Sequence, residues 1–294
     1  MTTPVRGASS TALLIARSLL LAEAAPPFEK LLAGDTAALT RQLLDATGAE
    51  PWFDFALRHA CTRSMLFAIE RALLPGIILH WLVRKLLIES HARDAIAAGC
   101  RQIVVLGAGF DTLARRLHGV ANCFEIDRPM TQAIKRRAFG EAPNFLAADL
   151  LSASVAEALA QDPRYSPDQP TLFIAEGLLM YLPADHVGKL FRELASFGAN
   201  RCRFVFTFME ERPGKPLAFH NASRVVGWWL GARGEPFRWG VARAEAHAFV
   251  RNHGWHLAAM SSPEELRSRF LNSHGLAGEP LAIGESIALA YLGD

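Results

Sequence analysis

Short runs of β-branched, aromatic and aliphatic residues alternate with helical segments through the middle of the chain, and this alternation restricts the folds that the chain can adopt. The runs predict strands over residues 102–106, 122–126, 144–147, 171–175 and 203–208. A segment with apolar residues at helical spacing follows each of the first four, and residues 210–240 separate the fifth from the next predicted helix, 243–252. Repeated strand and helix units predict a parallel sheet covered on both faces, which is a doubly wound α/β domain.

The parts of the chain on either side of this alternation have a different character. Residues 1–98 show apolar positions spaced by three and four and interrupted by prolines, so they predict an N-terminal helical extension or cap. Residues 99–294 form the predicted α/β domain, which closes with strands over 255–260 and 285–291. Within it, residues 210–240 are rich in Gly, Pro, Trp and Phe, and an insertion of this length predicts a lid or a binding wall.

Composition narrows the classes of partner. The chain has 294 residues, 51% of them hydrophobic, and a net charge of +2 from 31 basic and 29 acidic residues. Because this balance gives no broad basic surface, neither a nucleic acid nor a membrane is expected as a partner, and the basic cluster 135–137 is interpreted as the solvated face of a helix. The apolar stretch 73–87 is interrupted well short of the ~20 residues that a membrane span needs. Scattered cysteines predict reduced thiols, no metal site and a cytoplasmic location.

A glycine turn, formed by Gly107, Ala108 and Gly109, follows the first predicted strand. In an open parallel sheet, ligands bind beyond the carboxyl ends of the strands, and glycine lets the backbone approach a ligand because it has no Cβ. The turn therefore indicates a cofactor site, although a tight turn from strand to helix also needs glycine for structural reasons alone.

Carboxylates follow the second and third predicted strands. Glu125 and Asp127 lie about 20 residues beyond the glycines, where an acidic side chain accepts hydrogen bonds from ribose hydroxyls. Asp149 and Leu150 close the third strand, at positions suited to the amino group and the ring face of an adenine. These positions predict an adenosine-containing cofactor.

The acids also distinguish between two such cofactors. The fingerprint for NAD requires a small residue where Thr112 stands, and Asp111 would repel a pyrophosphate. S-adenosylmethionine has no phosphate but carries a sulfonium and an ammonium group, which an acidic rim attracts. The sequence therefore predicts S-adenosyl-L-methionine as the cofactor.

Five motifs in order resemble the leucine carboxyl methyltransferase family, which includes many bacterial S-adenosylmethionine-dependent O-methyltransferases. They are VVLGAGFDTLARRL (104–117), FEIDRP (124–129), AADL (147–150), AEGLLMYLP (175–183) and GESIALAYL (284–292). The resemblance runs from Arg84 to the C-terminus and implies a Rossmann-like class I methyltransferase fold. Leu113 stands where many members carry Arg, and the region before Arg84 matches poorly, so the identity of the substrate stays open.

The resemblance also implies roles for individual residues. The glycine turn and Asp111 would line the methionine end of the cofactor, the two acids of FEID the ribose, and the DL of AADL the adenine. Glu176 would face the cofactor amino group or the reaction centre. The residues assigned to the cofactor are Arg84, Gly107, Ala108, Gly109, Asp111, Glu125, Asp127, Asp149, Leu150 and Glu176.

Arg84 would hold the cofactor carboxylate, because an Arg upstream of the first strand has this role in the family. A guanidinium can hold a carboxylate with two parallel hydrogen bonds. Lys85 is adjacent, so the residue that holds the cofactor carboxylate is either Arg84 or Lys85.

The chemistry sets few demands on the protein. Methyl transfer from a sulfonium is an in-line displacement that depends on positioning and requires no metal. A carboxylate acceptor is already ionised at neutral pH and needs no base. A phenol or alcohol would need one, and Tyr181, His186 and His220 are the candidates. The predicted catalytic residues are Glu176, which the resemblance places at the reaction centre, and Tyr181, a candidate base.

The insertion supplies the predicted substrate-binding residues, which combine aromatic rings with cations. They are Trp229, Arg233, Phe237, Arg238 and Trp239. Such a wall suits an apolar substrate with an anionic group, for example a small-molecule or peptide carboxylate. Alternatively, the aromatic residues only seal the insertion onto the core.

The leading hypothesis is an O-methyltransferase that forms a methyl ester on the carboxylate of a small metabolite or peptide. Two alternatives belong to other classes of protein. One is a protein that binds the nucleotide in this pocket without catalysis, and the other is an NAD-dependent oxidoreductase. The ordered motifs with Glu176 favour the enzyme over the first alternative, and Asp111 disfavours the second.

Overall fold

A single eight-stranded sheet organises the protein. The computed structural model describes residues 9–48, 51–197 and 202–292. The strands are β1 Gln102–Leu106, β2 Asn122–Asp127, β3 Asn144–Ala147, β4 Thr171–Ala175, β5 Arg203–Glu210, β6 Gly240–Val241, β7 His256–Met260 and β8 Glu285–Tyr291. Their order is β3-β2-β1-β4-β5-β8-β7, and the short β6 pairs with the end of β5.

The strand sequences explain this arrangement. Every residue of β1 (QIVVL) and β4 (TLFIA) is buried, as expected for central parallel strands that helices cover on both faces. The strands β1 to β5 are parallel, whereas β8 is antiparallel to both β5 and β7. The structure thus confirms the predicted doubly wound class, and it adds β6, which the sequence did not predict.

Twelve α-helices surround the sheet within the described residues. They are α1 Ser10–Glu23, α2 Thr36–Thr47, α3 Pro51–Arg58, α4 Ala60–Leu73, α5 Ile77–Ala97, α6 Leu113–Leu117, α7 Pro129–Phe139, α8 Val155–Ala160, α9 Ala184–Ser196, α10 Arg224–Ala232, α11 Ala246–Asn252 and α12 Pro263–Leu266. A 3-10 turn, Leu179–Tyr181, follows β4. The helix predicted from residue 111 begins at Leu113, because the Asp111 carboxylate accepts the Leu113 amide hydrogen at 2.5 Å and occupies the turn ahead of the helix.

The N-terminal region is helical, as predicted, and it packs onto the sheet. Side chains of α1 and α5, such as Leu20 and Leu82, share one buried core with Ile103 and Ile174 of the sheet. The division at residues 98 and 99 into an extension and a methyltransferase domain stays a prediction. Parts of both predicted units, 1–8, 49–50, 198–201 and 293–294, lie outside the described residues.

Within the described ranges no single helix has the length and the apolar composition of a membrane span. The helices α4 and α5 meet both requirements only together, as a pair bent by 88°.

Candidate functional site

A cavity of about 300 Å³ opens beyond the carboxyl ends of β1, β2, β3 and β4. The turn after β1, the first half of α1, the 3-10 turn and residues 234–238 of the insertion enclose it. This volume lies at the lower end of the range for small-molecule sites. The location is the one where doubly wound folds bind their ligands.

The glycine turn forms the centre of one wall. Gly107 and Gly109 have φ values of +60° and +48°, a left-handed backbone conformation that favours glycine. The Gly109 amide donates a hydrogen bond to Asp127 Oδ2 at 2.7 Å, which joins the turn to the end of β2. A Cβ placed on Gly109 would lie 3.4 Å from the Ala12 side chain, so α1 passes directly over the turn.

Asp127 and Glu125 have different environments. Both belong to one face of β2, since they are two residues apart, but only Asp127 lines the cavity. Glu125 is buried one step further back along the strand, with its Oε2 atom 2.5 Å from Lys135 Nζ of α7. Burial raises the pKa of Glu125 to about 7, even though the Lys135 ammonium opposes this shift. The structure therefore separates two carboxylates that the sequence assigned jointly to a ribose.

Lys135 is also placed differently from its prediction. Its side chain is completely buried, whereas the sequence interpretation put residues 135–137 on a solvated surface. The ammonium donates to the Asp111 carbonyl oxygen at 2.7 Å as well as pairing with Glu125. The prediction of a solvent-exposed side chain was therefore wrong for Lys135. Its ammonium instead holds the backbone just after the glycine turn.

Asp149 and Leu150 line the cavity beyond the end of β3. The Asp149 Oδ1 atom accepts the Leu151 amide hydrogen at 3.0 Å, which fixes the carboxylate at the start of the loop. An acceptor and an apolar side chain thus lie next to each other at this end of the cavity.

A network of buried charges forms the opposite wall. Arg84 of α5 donates from Nε to Glu176 Oε1 at 3.0 Å and from Nη1 to Glu285 Oε2 at 2.9 Å. Lys85 Nζ lies 2.9 Å from Asp111 Oδ2 and 3.1 Å from Glu176 Oε1. The network therefore connects the start of β8, through α5 and the end of β4, to the glycine turn.

The two cations of this network differ in access. Arg84 is almost completely buried and contacts carboxylates on both sides of its guanidinium, while the Lys85 side chain keeps 16% of its exposure. Both line the cavity. The assignment of the cofactor carboxylate to Arg84 or to Lys85 stays a prediction.

Burial and charge act against each other on the three carboxyls. Burial by itself would raise the pKa of Glu285, but Arg84 and His80 outweigh it and hold that pKa at about 2. Burial opposes ionisation of Asp111 too, and the Lys85 ammonium lowers its pKa well below the ordinary value. At Glu176 burial prevails over both cations, and the pKa is raised.

Tyr181, at the end of the 3-10 turn, lines the cavity next to Thr11 of α1. Burial raises the pKa of its hydroxyl to about 12, and a hydrogen bond with Thr11 offsets only part of that shift. The phenol therefore keeps its proton at neutral pH, which suits a hydrogen-bond donor better than a base.

Two other candidate bases, His186 and His220, do not line the cavity. His186 Nε2 contacts the Leu151 carbonyl oxygen at 3.2 Å, and His220 Nε2 contacts the Glu210 carbonyl oxygen at 3.1 Å. Among the residues that the structure describes, no histidine lines the cavity. Over the same residues, no group of three or more His, Cys, Asp or Glu side chains is arranged to hold a metal ion.

The cations predicted to bind substrate are also separated. Arg238 lines the cavity. Arg233 is exposed on the outer surface, where its guanidinium lies 5.6 Å from the centre of the Trp229 ring. The structure thus brings Arg238, but neither Arg233 nor Trp229, to the cavity.

The remaining two predicted aromatic residues of the insertion, Phe237 and Trp239, pack against the protein core and do not line the cavity. Phe237 contacts Tyr181, with 5.6 Å between ring centres, and so supports a residue of the cavity wall. Trp239 is buried in a separate hydrophobic cluster, where 5.2 Å separates its ring centre from that of Phe249. These two rings seal the insertion onto the core, as in the alternative interpretation of the sequence.

Comparison with known proteins identifies the family. The family model for leucine carboxyl methyltransferase matches residues 15–195. The chain belongs to this family. A protein named "Putative S-adenosyl-L-methionine-dependent methyltransferase" from Mycobacterium marinum is 31% identical over an alignment of 194 positions, which covers 63% of this chain and 62% of that protein. One of the same name from Mycolicibacterium smegmatis is 29% identical over 63% of each chain.

A solved structure supports the fold assignment for this member of the leucine carboxyl methyltransferase family. The crystal structure of a DUF574 family protein from Streptomyces avermitilis has a TM-score of 0.57 at 16% identity, over 88% of this chain and 99% of that one. At this identity the likeness concerns the fold alone. The comparisons confirm the predicted family and fold, and they agree with the predicted enzyme class and cofactor.

The sequence predictions did not include Glu285, Lys135 or Glu235 among the residues of the site. Glu285 carried a usable signal, because it is an acid directly ahead of an apolar strand in GESIALAYL. Lys135 carried none, since it is one of three consecutive basic residues. Glu235 lies in an irregular segment and contacts α1 only through the tertiary fold.

Proposed function

We propose that the protein is an S-adenosylmethionine-dependent methyltransferase that transfers a methyl group to a carboxylate oxygen of a small molecule or peptide. The observation that carries this proposal is the convergence of Asp111, Asp127, Asp149 and Glu176 on one cavity around the glycine turn. A pyrophosphate would meet like charge here, which speaks against NAD. Calorimetry with S-adenosylhomocysteine, S-adenosylmethionine and NAD tests the cofactor, and tighter binding of NAD would refute the assignment.

The cavity suggests how the cofactor would be held. The Asp127 carboxylate accepts the Gly109 and Arg128 amides, and a carboxylate has about four lone-pair sites, so capacity remains for ribose hydroxyls. Asp149 and Leu150 suit the adenine. The glycine turn, Glu176 and the two cations of α5 suit the amino acid end.

The charges of the network fit such a cofactor. Asp111, Glu176 and Glu285 supply three carboxyls against two cations, Arg84 and Lys85. When all three are ionised the wall carries one surplus negative charge. S-adenosylmethionine, with its sulfonium, ammonium and carboxylate, has one surplus positive charge. When bound, it supplies an electrophilic methyl group.

The acceptor end of the cavity favours an acceptor that is already ionised. Tyr181 keeps its proton, and its hydroxyl is a donor that can orient an acceptor oxygen. Arg238 lies at the same end, and among the described residues no carboxylate pairs with its guanidinium. A carboxylate needs such cations and donors but no base. Catalysis would then consist of positioning the acceptor oxygen for in-line attack and excluding water.

Replacing Arg238 with Ala is expected to lower kcat/KM for a carboxylate acceptor by about 10- to 100-fold, the scale for losing a hydrogen bond to a charged group. S-adenosylhomocysteine affinity should not change. Steady-state kinetics and calorimetry check the two quantities. Arg233→Ala is the matched control, since that cation lies outside the cavity, and its kcat/KM should stay within about twofold of wild type. An equal loss in both variants would contradict the role of Arg238.

The product is expected to be a methyl ester. With methyl-labelled cofactor and a responsive carboxylic acid, mild alkali should release the label as volatile methanol. Label that resists alkali would indicate an ether, amine or carbon acceptor, and would return attention to Tyr181, His186 and His220 as bases. A binding protein without catalysis would bind the cofactor but give no labelled product with any acceptor. The cytoplasmic location and the absence of a nucleic acid partner stay predictions.

A further inference from the structure

One carboxylate joins the two segments that face each other across the mouth of the cavity. The Glu235 carboxylate of the insertion accepts hydrogen bonds from the Ser10 amide at 3.0 Å, the Thr11 amide at 3.0 Å and Thr11 Oγ1 at 2.6 Å. The acceptor and the donors are more than 220 residues apart in the chain. Their contact is therefore made by the tertiary fold alone.

The helix held by this contact, α1, covers the glycine turn. The second half of α1 is anchored in the core, where Leu19, Leu20 and Leu21 are each 5% exposed or less. The first half is only partly buried and passes over the turn, with Ala12 in contact distance of Gly109. The first turn of α1 is thus less deeply buried than the leucines of the second half.

The segment that carries Glu235 follows an exposed glycine. Gly234 has a φ of +71° and is exposed, and a Cβ placed on it would contact nothing within 4 Å. It joins α10 and Arg233 to the cavity-lining residues Glu235, Pro236 and Arg238. The backbone at Gly234 is therefore free of close side-chain packing, and the Glu235 amide behind it donates a hydrogen bond to the Leu230 carbonyl oxygen at 2.9 Å.

Opening of the contact would not require α1 to unfold. The Ser9 hydroxyl oxygen accepts the Ala12 amide hydrogen at 3.1 Å, so the helix carries its own N-cap. Glu235 adds charge-assisted hydrogen bonds and a negative charge at the positive end of the helix. It therefore stabilises the closed position of the first turn, while the helix remains capped in either position.

We propose that the first turn of α1 is a cover over the glycine turn, that Glu235 holds this cover closed, and that exchange of the cofactor requires the contact to open. This inference rests on the proposed placement of the cofactor. It predicts that weakening the contact accelerates both binding and release, because both pass through the open form. The equilibrium affinity changes little when opening becomes easier by the same amount with and without ligand.

The test measures association and dissociation rates of S-adenosylhomocysteine by stopped-flow fluorescence. In Glu235→Ala both rate constants should rise about tenfold, with Kd within about twofold of wild type. Thr11→Val removes one of the three donors and should give a smaller rise of both rates. Glu211→Ala is the matched control, since it removes an exposed carboxylate from the same insertion, and its rates should equal those of wild type.

Two results would overturn the proposal. In the first, Glu235→Ala leaves both rates unchanged while it lowers the melting temperature, as a purely structural cap would. In the second, only dissociation accelerates and Kd weakens in proportion, which would mean that Glu235 acts on the bound state alone. Failure of the proposed function looks different, because wild type itself would then not bind S-adenosylhomocysteine. If Glu235→Ala does not fold, Thr11→Val supplies the same comparison of rates.

Discussion

Replacing Glu285 with Gln is expected to lower the free energy of unfolding by about 3–5 kcal/mol at neutral pH. The Glu285 side chain is fully buried and pairs with Arg84 at 2.9 Å and His80 at 2.8 Å. The amide would remove the buried charge that the Arg84 guanidinium and the His80 ring pair with, and this loss exceeds that of any exposed pair. Urea denaturation at pH 7 measures it.

The control for this change is Glu279→Gln. Glu279 pairs with Arg71 at 2.9 Å, but both side chains are exposed, so the loss should not exceed about 1 kcal/mol. A double substitution of Arg84 with Met and Glu285 with Gln should destabilise the protein by less than the sum of the single substitutions, since the second removes a charge left unpaired by the first. Additive losses would contradict a direct pair.

The same carboxylate gives stability a defined pH dependence. Because the folded pKa of Glu285, about 2, lies below its ordinary value of 4.5, its contribution is present above pH 4.5 and is lost as pH falls towards 2. Wild type should therefore lose more stability than Glu285→Gln across this interval. Parallel pH profiles of the two proteins would disprove the depressed pKa.

Replacing Asp127 with Ala is expected to weaken S-adenosylhomocysteine binding by at least about 100-fold, because two hydrogen bonds from ribose hydroxyls to a charged acceptor would be lost. The bond from the Gly109 amide is lost as well, which relaxes the turn. Calorimetry gives the affinity, and thermal unfolding shows whether the fold persists.

Glu125→Gln is the control for Asp127→Ala, since the two residues belong to one strand and differ in their access to the cavity. Its S-adenosylhomocysteine affinity should remain within about threefold of wild type, even if its stability changes through Lys135. Equal losses of affinity would show that both acids contact the ribose, as the sequence alone suggested.

The different positions of Asp127 and Glu125 show which parts of the site could be predicted from the sequence. The glycine turn, Asp127 and Asp149 were predictable, because a ligand site at strand ends depends on positions within a few residues of each strand. The burial of Glu125 depends on how α7 crosses β2 and brings Lys135 against it. No pattern within β2 contains that information, and a run of three basic residues does not reveal which one points inward.

Distance along the chain limited the rest of the site. Glu285 and Arg84 are separated by 201 residues, and Glu235 reaches α1 across 224 or more. Such pairs follow from the order of strands and the course of the insertion. The sequence predicted the insertion as a lid or wall, but which of its residues would face the cavity depended on the packing of Phe237 and Trp239.

The position of β8 has a consequence for the order in which the protein can be assembled during synthesis. The strand β7 precedes β8 in the chain, yet it joins the sheet only through β8, which inserts between β5 and β7. A nascent chain that has not reached residue 291 therefore holds β7 without a partner and leaves the β8-facing edge of β5 unpaired, since β4 and β6 lie on the opposite edge. Glu285 is the first residue of β8. Before this strand is synthesised, Arg84 therefore has Glu176 but not Glu285 as a carboxylate partner. Completion of the charged wall thus depends on β8, and chains truncated before this strand are expected to expose unpaired strand edges and to aggregate.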